Sequence, residues 1–271
     1  MIKKGFFIII YSLLACCSNY AELETMDNKL IIQSTTSTRD SGFYDHILPY
    51  FNKKYNSKVY VIAGGTGIAI KNAIKCNADI LIVHAFEQEQ KFISDGYGAQ
   101  RDDLMYNDFV IVGPKNDPAN ISKLTSITDV FKKIKFSNVK FISRDDDSGT
   151  NIVENKLWEK ANIFSMDNNW YLKTGQGMGA TLNITIGKNA YTLVDRSTWI
   201  NYSNKQNHII LFEKDPLLFN QYGIIKINHK HCSNINKILA DKFYDWMISR
   251  EAKKLIKDYK IDDQQMFYIN E

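Results

Sequence analysis

The fold is decided by a stretch that reads Leu30-Ile31-Ile32-Gln33-Ser34-Thr35-Thr36-Ser37-Thr38-Arg39-Asp40-Ser41-Gly42. Its apolar start predicts a short strand, and the next segment, Phe43–Tyr55, carries apolar residues at the spacing of one helix face. A second strand at 59–62, a helix at 68–75 and a continuous apolar strand at 80–83 follow. This alternation is typical of a parallel α/β sheet that is buried on both faces.

The alternation continues to the end of the chain. Further strands are predicted at residues 109–112, 139–143, 170–172, 190–194 and 222–227. Further helices are predicted at 87–94, 127–133 and 151–161, together with one long helix at 235–258 that ends in basic residues, as the helix dipole favours. We therefore predict two α/β lobes, each a mostly parallel sheet flanked by helices, with strands that cross between them.

The composition excludes several classes of protein. A chain of 271 residues is long enough for one large domain or two ordinary ones. Lys and Arg total 34 and Asp and Glu total 30, so the net charge of +4 is too small for the basic footprint of a nucleic-acid-binding protein. Four cysteines exclude a scaffold built from disulfides, and a mean hydropathy of −0.31 excludes a protein with many membrane spans.

Residues 1–21 are interpreted as an export signal. Two lysines precede an apolar run at residues 6–15, which is about half the roughly 20 residues that a membrane-spanning helix needs. The run ends in Leu13-Leu14-Ala15-Cys16, which resembles a bacterial lipobox and predicts lipidation of Cys16, whereas cleavage after Ala21 is the alternative. Either cut removes two lysines and no acidic residue, so the net charge falls from +4 to +2.

Export also bears on the redox state of the remaining cysteines, Cys76 and Cys232. In an oxidising compartment the two could form a disulfide, but a single pair of cysteines carries no information about contact. Two separate buried thiols are an equal alternative.

Three loops share one design, in which a strand is followed by hydroxyl or glycine residues and then by a helix. They are residues 34–38, residues 63–68 and residues 143–150, where Arg144 adds a charge that is always present. At such positions the free N–H groups of a helix start and nearby hydroxyls can bind an anion. The structural alternatives are helix capping by the hydroxyls and a simple glycine turn. The acidic residues 145–147 are interpreted as helix-start charges that orient Arg144.

Together these loops predict a site for a small, fully ionised oxyanion that is held by hydroxyls, backbone amides and one guanidinium. The candidate ligand residues are Thr35, Thr36, Ser37, Thr66, Gly67, Arg144, Ser148, Gly149 and Thr150. Because the first two loops hold no acidic residue apart from Asp40, an anion without a proton is favoured over phosphate. The loops come from both predicted lobes, so we expect a cleft that closes on its ligand.

A fourth loop supports a different class of protein. Gly175-Gln176-Gly177-Met178-Gly179-Ala180 fits a dinucleotide-binding fingerprint with Asp195 downstream, as in an NAD-dependent dehydrogenase. The preceding strand is short and an exported protein meets little NAD, so a non-enzymatic binding protein is favoured. The five histidines lack zinc spacing, and neither a metal nor a cofactor is predicted. A surface adhesin whose hydroxyls only cap helices is a further alternative.

Several segments match a known family. They are residues 34–42, 65–67, 78–85, 96–98, 105–114, 143–150, 177–179 and 191–196. On these segments the chain resembles the TupA-type tungstate-binding proteins of ABC importers, which are type II periplasmic binding proteins. The family's arginine loop usually carries glycine where Asp145 stands here.

The resemblance implies both architecture and function. Lobe 1 would comprise residues 27–110 and 222–271, and lobe 2 residues 111–221. The anion ligands implied by the resemblance are Thr36, Ser37, Thr66, Arg144 and Thr150, with backbone help at Gly177 and Met178 and support from Asp195 and Arg196. It implies a monomeric, extracytoplasmic, high-affinity tungstate receptor that serves an ABC permease and ATPase. A molybdate, sulfate or phosphate receptor on the same fold is the alternative.

Overall fold

The computed structural model describes residues 28–164, 166 and 169–270, and the predicted export signal with Cys16 lies outside them. The strands are β1 (Lys29–Thr35), β2 (Lys58–Gly64), β3 (Ile80–Val83), β4 (Gly98–Pro114), β5 (Phe141–Ser143), β6 (Tyr171–Lys173), β7 (Thr192–Asp195), β8 (His208–Phe212), β9 (Phe219–Ile227), β10 (Lys260–Ile261) and β11 (Gln264–Gln265). The helices are α1 (Thr36–Asp40), α2 (Phe43–Tyr55), α3 (Thr66–Ile74), α4 (Phe86–Ser94), α5 (Ile127–Phe136), α6 (Gly149–Lys160), α7 (Met178–Gly187), α8 (Arg196–Asn201), α9 (Lys237–Met247) and α10 (Arg250–Lys257).

A seven-stranded sheet runs through both lobes in the order β2-β1-β3-β9-β4-β7, and β8 also pairs with β4. The first part of β4 pairs with β9, whereas residues 109–114 pair with β7 and β8. The strands β4 and β9 are therefore the crossing strands. Parallel pairing is found among β1, β2 and β3 and between β5 and β6. The crossing strands pair antiparallel, because β9 returns along β4.

Each lobe buries apolar side chains on both faces of its sheet. In the first lobe, α2, α9 and α10 form a core around Phe51 on one face, and α3 and α4 form a core around Phe92 on the other. In the second lobe, α5 and α6 pack around Trp158, and α7 and α8 pack around Trp199. Burial of these side chains is the main favourable contribution to folding.

Two predicted elements are corrected by the structure. The single helix expected at 235–258 is two helices, α9 and α10, because Ser249 leaves the helical backbone conformation and caps α10 by accepting a hydrogen bond from Ala252 N. The strand expected at 109–112 begins at Gly98. Its added first half carries several charged, partly exposed residues and therefore lacks the apolar run that marks a buried strand.

Cys76 and Cys232 form a disulfide across a sequence separation of 156 residues. Cys76 follows α3 in a left-handed backbone conformation with φ of 61°. Cys232 lies in the turn after β9 and is buried. The bond ties the end of α3 to the C-terminal part of the first lobe, which decides between the two alternatives left open by the sequence.

Candidate functional site

The N-terminus of α1 lies where β1 ends, and its hydroxyls have different partners. Thr35 caps the helix, since its Oγ1 accepts a hydrogen bond from Thr38 N at 3.3 Å. Ser37 Oγ lies 3.0 Å from Nε2 of His84, outside the helix. The capping interpretation therefore accounts for Thr35, whereas the Thr36 hydroxyl contacts the second lobe.

Arg144 is the charged centre of the site. Its Nη2 donates hydrogen bonds to Thr36 Oγ1 at 3.0 Å and to Asp146 Oδ2 at 2.6 Å. The side chain is 1% exposed, and its Nε and Nη1 have no hydrogen-bond partner among the described residues. Buried donors in native proteins are almost always paired. Two donors of a permanent cation are thus available to an anionic ligand.

A second contact joins the starts of α3 and α6. Gly149 N donates to Thr66 Oγ1 at 3.0 Å, and Ser148 caps α6 by accepting a hydrogen bond from Asn151 N at 3.3 Å. The hydroxyl of Thr150 is fully buried and has no partner within the described part of the chain. It is a third group with an unmet hydrogen bond. Gly67 is the second residue of α3 and is half-buried.

The start of α7 completes the cluster. A Cβ at Gly177 would lie 3.9 Å from Thr36 Oγ1, so this helix begins beside α1. Met178 buries its side chain in the core with Leu182, which leaves only its backbone amide for a ligand. The N-termini of α1, α3, α6 and α7 thus meet around Arg144. The partial positive charge of helix starts favours an anion at this place.

The first two of the three acidic residues after Arg144 have distinct partners. Asp146 pairs with the guanidinium, as expected from the sequence. Asp145 adopts a left-handed backbone conformation with φ of 48°, which glycine adopts without strain. Its carboxylate lies 3.1 Å from Lys173 Nζ. The charge at this position is therefore paired with a surface lysine.

Asp195, at the end of β7, is the hub of a buried polar cluster that includes residues of the crossing strands. Its carboxylate accepts hydrogen bonds from Asn107, Asn220 and Tyr222, among other donors. Asn220 in turn contacts His84 at 2.9 Å, which leads to Ser37. Sequence reasoning did not single out His84, which the structure places against the start of α1. The available signal was its place directly after β3, which lies beside β1.

The remaining predicted residues lie apart from the anion cluster. The guanidinium of Arg196 pairs with Asp108 and Glu213, and no described contact links it to Arg144. Asp195 is fully buried and surrounded by donors from the protein, so it cannot reach a ribose hydroxyl. This geometry removes the acidic residue that a dinucleotide fingerprint requires.

Glu154 supports the arginine loop from behind. Its carboxylate accepts hydrogen bonds from Ser143 Oγ at 2.9 Å and from the Tyr171 hydroxyl at 2.6 Å. Burial raises the pKa of Glu154 to about 7 in spite of these donors. Because Ser143 directly precedes Arg144, the carboxyl group fixes the base of the loop.

Comparison with known proteins places this fold in one class. A family model described as a PBP superfamily domain matches residues 21–251, so the chain belongs to this superfamily of binding proteins. It is 40% identical over 232 residues to the tungstate-binding protein TupA of Peptoclostridium acidaminophilum, which covers 85% of this chain and 81% of that relative. Within the superfamily the chain therefore belongs to the TupA family. The relatives are named as binding proteins, which confirms the prediction of a non-enzymatic protein.

Two solved structures share the fold throughout. The tungstate ABC transporter protein from Geobacter sulfurreducens is 43% identical with a TM-score of 0.80, and the alignment covers 86% of this chain and 99% of that one. TupA from Desulfovibrio alaskensis G20 is 40% identical with a TM-score of 0.75, covering 89% and 98%. Among residues 28–164, 166 and 169–270, no helix is both long and apolar enough to cross a membrane.

Proposed function

We propose that this chain is an extracytoplasmic receptor that binds tungstate and delivers it to the permease of an ABC importer. The observation that carries the proposal is the buried Arg144, which has two donor nitrogens without a partner among the described residues and lies among four helix N-termini. The proposed ligands are Thr35, Thr36, Ser37, Thr66, Gly67, Arg144, Ser148, Gly149, Thr150, Gly177 and Met178. The TupA relatives, which bear the name of tungstate-binding proteins, support the same ligand.

The donor set favours an oxyanion that carries no proton. Asp146 is the carboxylate nearest to the guanidinium, and its two oxygens already accept from Arg144 Nη2 and from Ser148 N at 3.3 Å. A protonated anion such as hydrogen phosphate needs an acceptor for its O–H group, and leaving that group unpaired is costly. Tungstate, molybdate and sulfate are dianions at neutral pH and need donors only.

Delivery requires two lobes that open and close around the ligand. We propose that residues 27–110 and 222–271 form one lobe and residues 111–221 the other, with β4 and β9 as the hinge. Contacts across the cleft include the bond from Arg144 to Thr36 and an exposed ion pair between Lys156 and Glu87 at 2.8 Å. We further propose that residues 1–21 direct export, that Cys16 is lipidated and that the protein acts as a monomer.

Calorimetric titration of the chain without residues 1–21 tests the function. We expect heat of binding with tungstate, comparable or weaker heat with molybdate, weak heat with sulfate and none with phosphate. Binding of phosphate in preference to tungstate, molybdate and sulfate would contradict the proposal. If no oxyanion either binds or raises the melting temperature, the hydroxyl loops act only as helix caps.

A further inference from the structure

A continuous chain of buried hydrogen bonds connects the start of α1 with the crossing strands. Ser37 Oγ lies 3.0 Å from His84 Nε2, and His84 Nδ1 lies 2.9 Å from Asn220 Oδ1. Asn220 Nδ2 lies 2.6 Å from Asp195 Oδ2. All four side chains are at least 95% buried. We call this chain, from Ser37 to Asp195, the relay.

The direction of each bond in the relay follows from the chemistry of its members. A carboxylate surrounded by donors only accepts, so Asn220 Nδ2 donates to Asp195 and Oδ1 of the same amide faces His84. The amide oxygen can only accept, and His84 Nδ1 therefore carries the proton. Burial lowers the pKa of His84, so the ring is neutral and Nε2 is an acceptor. Ser37 must then donate its hydroxyl proton to His84.

This direction fixes the other hydroxyls at the start of α1. Since the Ser37 hydroxyl donates its hydrogen bond to His84, it must accept in its contact of 3.1 Å with Thr35, and the Thr35 hydroxyl is the donor there. Thr35 in turn accepts from the Thr38 hydroxyl at 2.7 Å. The three hydroxyls therefore donate in sequence, from Thr38 to Thr35, from Thr35 to Ser37 and from Ser37 into the relay. Ser37 and Thr35 can therefore reach an anion only through their backbone amides.

His84 also touches the second lobe. A Cβ at Gly149 would lie 2.8 Å from His84 Cε1, so the first residue of α6 rests directly on the imidazole. The ring stacks on Tyr222 of β9 with centroids 4.8 Å apart. One side chain therefore contacts the starts of α1 and α6 and a crossing strand. The charged groups that act on the ring are Asp195 and Arg144.

We propose that His84 is a positioning residue of the anion site, which accepts the hydrogen bond of the Ser37 hydroxyl and fixes the starts of α1 and α6 against the crossing strands. The role rests on the proposed function as an oxyanion receptor. Loss of either Ser37 or His84 should then weaken anion binding to the same extent as loss of both. Neither the hydroxyl group of Ser37 nor the imidazole of His84 binds the anion directly.

The first test reads the proton positions without any ligand. ¹⁵N NMR of histidine-labelled wild-type chain at neutral pH, assigned through backbone correlations, reports which ring nitrogen of His84 is protonated. We expect the neutral ring with the proton on Nδ1. A proton on Nε2, or on both nitrogens, would overturn the proposal.

The second test is a double-mutant cycle on tungstate affinity with Ser37→Ala and His84→Phe. We expect each variant to weaken binding about tenfold and the double variant also about tenfold, because both changes break one relay. Ser41→Ala and His208→Phe are matched controls, since both residues are buried and lie outside the relay, and they should bind within about twofold of wild type.

The two ways of failing are distinguishable. Absence of tungstate binding by the wild-type chain contradicts the proposed function itself. If the wild-type chain binds normally, two results overturn only the role of His84. One is a loss of about a hundredfold in the double variant, which means that the two single losses multiply. The other is no loss of affinity in the single variants. If His84→Phe does not fold, the position of the ring proton of His84 in the wild-type chain decides whether the proposal stands.

Discussion

Arg144 Nη2 donates a hydrogen bond to Thr36 Oγ1 across 3.0 Å, although the two residues lie 108 positions apart in the chain. The bond joins the loop after β5 to the start of α1, and so links the two lobes at the place where the donors for an anion meet. Nε and Nη1 of the same guanidinium are buried without a partner in the described chain. One side chain therefore takes part in a contact between the lobes and also offers two donor nitrogens to the proposed ligand.

Arg144→Ala should abolish most of the anion affinity. Each charge-assisted hydrogen bond contributes about 1.5–3 kcal/mol, so the loss of two should weaken tungstate binding at least about a hundredfold. Titration calorimetry measures the dissociation constant directly.

Two further variants show whether the loss is specific to the arginine fork. Arg144→Lys keeps the charge but cannot place two donors in one plane, and should recover only part of the affinity. Arg39→Ala removes an exposed arginine of α1 and should bind like wild type. Wild-type affinity in Arg144→Ala would place the site elsewhere.

Thr150→Val should separate binding from stability. The Thr150 hydroxyl is buried and has no partner among the described residues, so its replacement by an isosteric methyl group removes no hydrogen bond of that part of the chain. We expect unchanged or slightly higher thermal stability and about a tenfold loss of tungstate affinity. Thr35→Val should have the opposite effect on stability. It removes the cap of α1 and should lower the unfolding free energy by about 1 kcal/mol. Equal affinity of Thr150→Val and wild type would remove Thr150 from the ligand set.

The elements that the sequence predicts well are those set by local pattern. The four residues of β3 are apolar throughout, and α2 begins and ends where its apolar spacing indicates. Arg144 could also be singled out as a candidate anion donor, because its loop lies between a strand and a helix, and the structure shows it buried with two donor nitrogens that lack a partner among the described residues. Such features depend on a few neighbouring residues and need no knowledge of the fold.

Roles set by distant contacts could not be predicted in the same way. His84 is functional only because Asn220, 136 residues away, fixes its proton and because β3 lies beside β1. The hydroxyls of Thr35 and Thr150 look alike in sequence, yet one caps a helix and the other has no partner among the described residues. Which hydroxyl remains available is decided by packing between elements.

Gly149→Ala tests the close approach of α6 to His84. The added Cβ would lie 2.8 Å from the imidazole, and the ring cannot move away because Ser37 and Asn220 hold both nitrogens. We expect α6 to shift, the bond from residue 149 N to Thr66 to break and tungstate affinity to fall at least about tenfold. Gly187→Ala, whose Cβ would meet nothing within 4 Å, is the matched control. Calorimetry that finds both variants equal to wild type would contradict the steric argument.

Removal of the disulfide should affect stability and leave binding intact. The bond closes a loop with a sequence separation of 156 residues, and loss of such a native disulfide costs about 2–5 kcal/mol. Cys76→Ser with Cys232→Ser should therefore unfold at lower denaturant concentration, as should wild type under reducing conditions. Tungstate affinity should stay within about twofold, because the sulfur atoms lie against Ala73, Ile74 and His231, at the opposite end of α3 from Thr66. A large loss of affinity would show that the end of α3 positions Thr66.

Glu154 should make the stability of the protein fall as the pH rises. Burial raises its pKa from 4.5 to about 7 in the folded state, whereas the unfolded chain has the lower value. Below pH 4.5 the carboxyl group is protonated in both states and contributes no pH dependence. Between pH 4.5 and 7 the folded state binds more protons than the unfolded state, so the free energy of unfolding decreases. The size of this effect is about 3 kcal/mol across the window.

Glu154→Gln should remove this dependence, because the amide resembles the protonated carboxyl group and stays neutral. Denaturant unfolding of wild type and variant at intervals from pH 4 to 8 gives the difference in unfolding free energy. We expect the variant to gain on wild type through the window and the difference to level off above pH 7. Glu159→Gln, on an exposed position of the same helix, should parallel wild type throughout. If the difference between wild type and Glu154→Gln does not change with pH, the carboxyl group is not held in the buried, proton-binding state that supports the arginine loop.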